Sequence, residues 1–278
     1  MKAVRVLRRW WLDGAALLVA LVVFVIPFLF ILVTAAKERA EASRLAFTWP
    51  TQWRLLENLQ EVIGARDELM VTAMRNSMLL TLASVTIIVF LSAMVGYLLH
   101  RRRDRTGAAV SALMLAGLVI PPAIVPTIYV LQAIGLFKTI PGLVLVEVAF
   151  LMPFSVLIFR TFVSAIPREL DEAAIIDGAT PVTLFVRVIL PLLRPAIITV
   201  VVVQSIAVYN DFVNPLYFLP GTENSTVQLT LFNFQSQFNT RWNLLFADVL
   251  LITIPPLILF IFFQRQFASG FTAGAVKG

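Results

Sequence analysis

Six apolar stretches, each close to the length of a membrane-crossing helix, take up most of this chain; they lie at about 14–36, 77–99, 107–132, 141–164, 195–218 and 245–263. Crossing a bilayer as a helix takes about 20 mainly apolar residues. The intervals between the stretches are too polar or too broken to cross. Inside lipid the backbone N–H and C=O groups have no water to bond, so a spanning segment must satisfy them internally. The expected fold is an all-α polytopic membrane protein with six transmembrane helices. Composition agrees: charged residues make up 14% of the chain and hydrophobic ones 59%, whereas a soluble domain carries about 25% charged residues.

Several function classes drop out. The sequence pI is about 10.2, but the bases fall in short loops between apolar runs and form no stripe for nucleic acid. With no Cys and one His, His100, the chain can build neither thiolate nor multi-histidine metal sites. His100 reads as a solvated residue of a basic loop. No G-x-x-x-x-G-K-[ST] phosphate loop occurs; Gly135-Leu-Phe-Lys138-Thr139 comes nearest and lacks the second Gly. The first apolar run follows Lys2, Arg5, Arg8 and Arg9 but exceeds the 7–15 residues of a signal h-region, which favours a retained helix.

Basic residues orient the spans, because cytoplasmic loops carry an excess of Lys and Arg. With both termini cytoplasmic, 14 of the 22 bases fall inside. They include the N-terminal four, Arg101, Arg102, Arg103 and Arg105 of the 100–106 loop, and Arg160, Arg168, Arg187 and Arg194 around the central loop. Arg265 and Lys277 complete the set. Of the eight outside, six lie in 37–75, matched there by Glu38, Glu41, Glu57, Glu61, Asp67 and Glu68. The loop between the fourth and fifth spans is therefore expected in the cytoplasm.

That loop has the grammar of two short helices. Pro167 suits a first helical position, and Glu169, Asp171 and Glu172 complement the helix dipole. Gly178 suits a left-handed C-terminal residue, and Thr180-Pro181 an N-cap with a first position. Val182, Phe185, Val186 and Ile189 then share one apolar face, and Leu190-Pro191 stops the second helix. Helices this short are marginal alone, so something must hold them. From the residues alone, the loop is either a docking element or a hairpin lying on the lipid headgroups.

Glu172-Ala-Ala, three residues, Gly178, and Leu190-Pro191 resemble the EAA loop of ABC importer permeases, with Val188 in place of the usual Ile. Trp53-Arg-Leu-Leu-Glu57-Asn58 followed by Arg75-Asn76-Ser77 resembles the carbohydrate (maltose-type) branch. So does Tyr209-Asn-Asp-Phe-Val-Asn-Pro215-Leu, with Tyr in place of the usual Trp. The tail is similar to that of the shorter permease of those systems. The resemblance implies an ATPase-coupling set of Glu172, Ala173, Ala174, Asp177, Gly178, Leu190 and Pro191, with Glu172 pairing a basic residue of the ATPase. It implies that the tail, with Lys277 and Gly278, reaches the ATPase. The implied division is a cytoplasmic N-terminus (1–13), a first span (14–36), an extracytoplasmic loop (37–76), a permease core (77–264) containing the coupling loop (167–191), and a cytoplasmic tail (265–278).

The implied function is that of a non-catalytic subunit of an ATP-driven, binding-protein-dependent sugar importer in the bacterial inner membrane. It works with a second homologous permease, an ATPase dimer that uses ATP and Mg, and an extracytoplasmic sugar-binding protein. No cofactor is expected on this chain. The cargo would be an oligosaccharide, or a phosphorylated polyol such as glycerol 3-phosphate. A stand-alone ion-coupled transporter is the competing class, but no internal repeat supports it.

Polar residues inside spans are costly and face cavities or partners. Tyr209, Asn210, Asp211 and Asn214 form the densest such cluster, with Asn210 and Asn214 expected on one helical face. They suit a sugar path and equally suit hydrogen bonding between helices. Glu147 and Asp248 are expected near span borders. Pro121, Pro122 and Pro126 are expected to kink the third span.

Overall fold

The computed structural model describes residues 14–102, 104–235 and 239–275, with side chains through Gln264. Every regular element among them is helical. The main helices are α1 (Gly14–Ala35), α2 (Leu55–Arg101, interrupted by non-helical backbone at Ala65, Arg66, Asp67 and Glu68), α3 (Arg105–Val119), α4 (Ile124–Ala133) and α5 (Ile140–Val163). They continue with α6 (Glu169–Ile176), α7 (Pro181–Leu192), α8 (Arg194–Tyr209), α9 (Val213–Phe218) and α10 (Trp242–Ala275). By length and composition α1, α2, α5 and the Trp242–Gln264 part of α10 can each cross a membrane; the bent pairs α3–α4 and α7–α8 raise the count from four to as many as six.

The third apolar stretch breaks rather than kinks. The chain bends by 118° between α3 and α4. Ile120 precedes Pro121 and takes an extended ψ of 124°, as the ring of a following proline demands. The fifth stretch is also interrupted: α8 ends at Tyr209 and α9 resumes at Val213. Pro215 cannot donate to a preceding carbonyl and its ring excludes the carbonyl of Asp211. Asp211 Oδ1 instead accepts from the amides of Val213 (2.9 Å) and Asn214 (3.3 Å). Asn210 and Asn214 therefore do not share one continuous helical face. α2 runs through His100 to Arg101, so the basic loop that follows is shorter than 100–106.

The chain divides into two compact units. One comprises the chain through Val71 with Leu229–Ile254; the other comprises Thr72–Gln228 and the chain from Pro255 onward. In the first, the end of α1 is tied down by polar bonds. Asn58 Nδ2 donates to the carbonyls of Ala35 (2.8 Å) and Lys37 (2.9 Å), and Asn243 Nδ2 donates to Asn58 Oδ1 at 2.9 Å. The enclosed Lys37 donates to Ala46 O (2.7 Å) and Thr48 Oγ1 (3.2 Å). Asp248, expected at a border, is fully enclosed and accepts from Thr230 Oγ1 at 3.1 and 3.0 Å.

The second unit is built around α5, of whose apolar window 56% is buried. Its core includes Ile88, Leu143, Phe159, Val163, Ile189 and Val200. Two features bring neighbours close. A Cβ on Gly96 of α2 would stand 2.8 Å from Phe159 Cβ and 3.0 Å from Arg160 N, and one on Gly117 of α3 would stand 3.1 Å from Pro153 Cγ. Gln204 of α8 donates to Ser155 Oγ at 2.7 Å and to Leu151 O at 3.3 Å on α5. Small residues and side-chain hydrogen bonds of this kind drive helix association in lipid, where apolar burial does not.

Gly96→Ala should therefore overpack the α2–α5 contact, at a cost of about 1–3 kcal/mol. Gly64→Ala, just before the break in α2 and with nothing within 4 Å of the added Cβ, should change stability by no more than about 0.5 kcal/mol. Thermal unfolding in mild detergent checks the pair, and equal effects would refute the close approach at Gly96.

Candidate functional site

The central loop folds as a helical hairpin, α6 and α7. Helix α6 begins at Glu169 and not at Pro167, because the amides of Asp171 (2.9 Å) and Glu172 (3.2 Å) both bond the carbonyl of Arg168. Glu169, Asp171 and Glu172 occupy its first turn, where carboxylates complement the dipole. Its end is a Schellman motif. Gly178 takes a φ of +81°, its amide bonds Ile175 O at 3.0 Å, and the amide of Ala179 bonds Ala174 O at 2.9 Å. Thr180 Oγ1 then accepts from Thr183 N at 3.2 Å and caps α7.

Helix α7 departs from the expected 3.6-residue face. Leu184–Ile189 is π-helical, and the wider turn brings Leu184, Phe185 and Ile189 inward. Val182 is 73% exposed and Val186 42%. Pro191 does not end the segment: the amide of Leu193 bonds Ile189 O and Leu190 O, both at 3.1 Å. The chain then bends by 76° into α8.

α2 holds both limbs of this hairpin. Arg101 Nε lies 2.6 Å from Asp171 Oδ2, an ion pair whose side chains are only 12% and 13% exposed. Arg101 Nη2 donates to Asp171 Oδ1 (3.3 Å) and to the carbonyls of Ile166 (3.1 Å) and Pro167 (3.4 Å). Tyr97 Oη donates to Asp171 Oδ2 at 3.2 Å, and its ring lies 5.8 Å from that of Phe185 on α7. Asp171 and half-buried Ala174 face inward. Glu172, Ala173, Ile175, Ile176, Asp177 and Gly178 are exposed, Ile176 by 85%. Of the coupling residues expected from the sequence, Leu190 and Pro191 thus lie apart, at the far end of α7. Asp171, Arg101 and Tyr97 were missed as a group. The signal available was an inward acid in the first turn of a short helix and a base in the last turn of a long one.

The polar cluster is split by the helix break. Tyr209 is buried and its Oη donates to Met74 Sδ at 3.5 Å. Asn210 is exposed and accepts from Gln228 Nε2 at 3.3 Å. Asn214 Nδ2 donates to Glu147 Oε1 of α5 at 3.1 Å. Glu147 is 2% exposed, so it is enclosed by the fold and not placed at its surface. A largely apolar cavity of about 650 Å³ lies beside Tyr209, with Met74, Thr81, Ser205, Pro256 and Phe262 among its walls. Asn210, Asp211 and Asn214 do not line it. Lys277 and Gly278 lie outside the described residues.

Residues 88–272, which include the hairpin and the polar cluster, match the family of binding-protein-dependent transport system inner membrane components. The chain belongs to this family. The permease is 27% identical over 98% of its length, and 91% of the relative's, to a probable ABC transporter permease protein, YurM, of Bacillus subtilis. It is 35% identical to DasC of Streptomyces coelicolor, a diacetylchitobiose uptake system permease protein, over 74% of this chain and 76% of that one. Its fold matches a chain in the crystal structure of a bacterial ABC transporter involved in the import of the acidic polysaccharide alginate. That match has a TM-score of 0.80 and 18% identity, and covers 93% of this chain and 96% of the other. The permease is thus a non-catalytic, multi-pass membrane component of a binding-protein-dependent transport system.

The Asn214–Glu147 bond joins α9 to α5. Glu147→Leu leaves the Asn214 amide without this acceptor and should cost about 1–3 kcal/mol, whereas Glu147→Gln retains an acceptor and should cost less. Thermal unfolding of the two variants checks this; equal losses would show that the hydrogen bond does not bear the load.

Proposed function

We propose that this chain is one of two permease subunits of an ATP-driven sugar importer in the bacterial cytoplasmic membrane. One observation carries the reading. The hairpin turns Ile175, Ile176 and Val182 outward beside Glu172 and Asp177, while its other face is held on α2. Apolar side chains exposed on a polar, anchored helix mark a protein contact. An apolar tip with acidic neighbours suits a cleft with basic walls on an ATPase.

The topology that serves this role has six spans, each bent pair counting as one, with both termini and the 167–191 hairpin in the cytoplasm. Glu172, Ala173, Ala174, Asp177 and Gly178 then form the docking helix and its cap, and Leu190-Pro191 joins the hairpin to the fifth span. Lys277 and Gly278 at the tail supply a second ATPase contact. The ATPase dimer binds Mg-ATP, closes, and displaces α6. That displacement switches the paired permeases between inward-facing and outward-facing states. An extracytoplasmic binding protein delivers the sugar.

The diacetylchitobiose permease among the relatives supports an oligosaccharide as cargo. Tyr209, Asn210, Asp211 and Asn214, on the two sides of the break in the fifth span, carry hydroxyl, amide and carboxylate groups of the kind that bind sugar hydroxyls. A helix break at such a site leaves backbone groups available only where they line a cavity or pack on protein.

Glu172→Lys and Ile176→Glu should each lower recovery of the ATPase with the tagged permease by about tenfold, a loss of about 1.4 kcal/mol in affinity, while membrane insertion stays normal. Co-purification from mild detergent followed by mass spectrometry reads this. Full ATPase recovery with both variants would sink the docking role.

A further inference from the structure

We propose that Tyr97, Arg101 and Asp171 form a rigid joint that makes α6 and the C-terminal end of α2 move as one body, and are thereby positioning residues for the ATP-driven transition. The inference rests on α6 being the ATPase-docking helix, and it identifies how a displacement of that helix enters the membrane bundle.

Helix α6 has eight residues, too few to be stable by itself. Short irregular segments, 164–168 and 177–180, connect it to its neighbours. A load applied to α6 dissipates in those segments unless side chains carry it across. Most exposed ion pairs cannot, being worth about 0–1 kcal/mol. This one differs in burial and in number of bonds. The guanidinium of Arg101 reaches Asp171 and the two carbonyls that precede α6. Arg168 Nη2 returns a bond to the carbonyl of Arg101 at 3.2 Å. The Arg101 guanidinium also stands 5.8 Å from the centre of the Tyr97 ring.

Tyr97 and Arg101 are four residues apart, so they share one face of α2. From that face Tyr97 touches both limbs of the hairpin, α6 through its hydroxyl and α7 through Phe185. Phe90, two turns earlier, meets Phe185 edge-on with ring centres 6.3 Å apart. Gly96, next to Tyr97, is where α2 lies tightest against Phe159 of α5. A push on α6 thus meets a continuous packed route into α5, the most buried helix of this unit.

The chain contains no cysteine, which makes introduced thiols unique within it. We would place spin labels at Leu91 of α2 and Glu169 of α6 in the complete importer, and compare nucleotide-free with Mg-ATP/vanadate-trapped complexes. A rigid joint keeps the spin–spin distance the same in both states, within the roughly 1–2 Å of ordinary helix shifts. Arg101→Gln and Asp171→Asn should broaden that distance and reduce vanadate trapping per assembled complex by about tenfold, within the usual range of coupling energies. The exchanged pair, Arg101→Asp with Asp171→Arg, should narrow the distance again. Should Arg101→Gln fail to insert, Tyr97→Phe carries the same measurement.

A distance that changes between the two states in the native background overturns the proposal. So does a narrow distance with full trapping in both charge-removing variants. Full ATPase retention by both Glu172→Lys and Ile176→Glu would instead remove the docking reading, and with it the role in ATP-driven motion, while a constant α2–α6 distance would still stand as a property of the fold.

Discussion

In an apolar solvent the burial of apolar side chains gives helices little reason to associate, and the fold depends on whatever replaces that force. Here the substitutes are close backbone approach and hydrogen bonds between helices. Gly96 lets α2 close on Phe159, and Gly117 lets α3 close on Pro153. Gln204 reaches from α8 to Ser155, and Asn214 reaches from α9 to Glu147. All four contacts end on α5, which explains why that helix is the most buried of the four helices long enough to cross a membrane alone. The polar residues that look costly in the sequence are therefore structural ties as well as candidate path residues.

The same economy operates at the hairpin. A single buried acid, Asp171, gathers an ion pair and a tyrosine hydroxyl on one side of α6. The opposite side is thereby left free to present isoleucines outward. The division is a consequence of helical geometry: Asp171 and Ala174 are three apart and point inward together, so Glu172 and Ile176, four apart, must point elsewhere.

Much of this was legible in the residues. The apolar runs, the Gly178 cap, the Thr180 N-cap and the acidic first turn of α6 are local features, decided within a few residues of backbone and met again in the structure. The misreadings share a cause. The continuous fifth span and the shared face of Asn210 and Asn214 ignored how Pro215 and Asp211 together favour a break. The apolar face of α7 assumed 3.6 residues per turn where the helix is π. Pro121 and Pro122 produced a break where a kink was expected. Backbone alternatives that differ by one hydrogen bond per turn are not separated by hydrophobic periodicity.

The sequence by itself determined the solvent, the helical class and the turn between α6 and α7, because apolar length, proline, glycine and capping chemistry act locally. It also carried the motif by which the family is recognised. Only the tertiary structure decided that Arg101 and Tyr97 hold Asp171, that Glu147 is enclosed and meets Asn214, and that Asp248 meets Thr230. Those pairings join residues between 18 and 74 positions apart. No local rule selects such partners; they are chosen by which helix faces come together, and that is a property of packing.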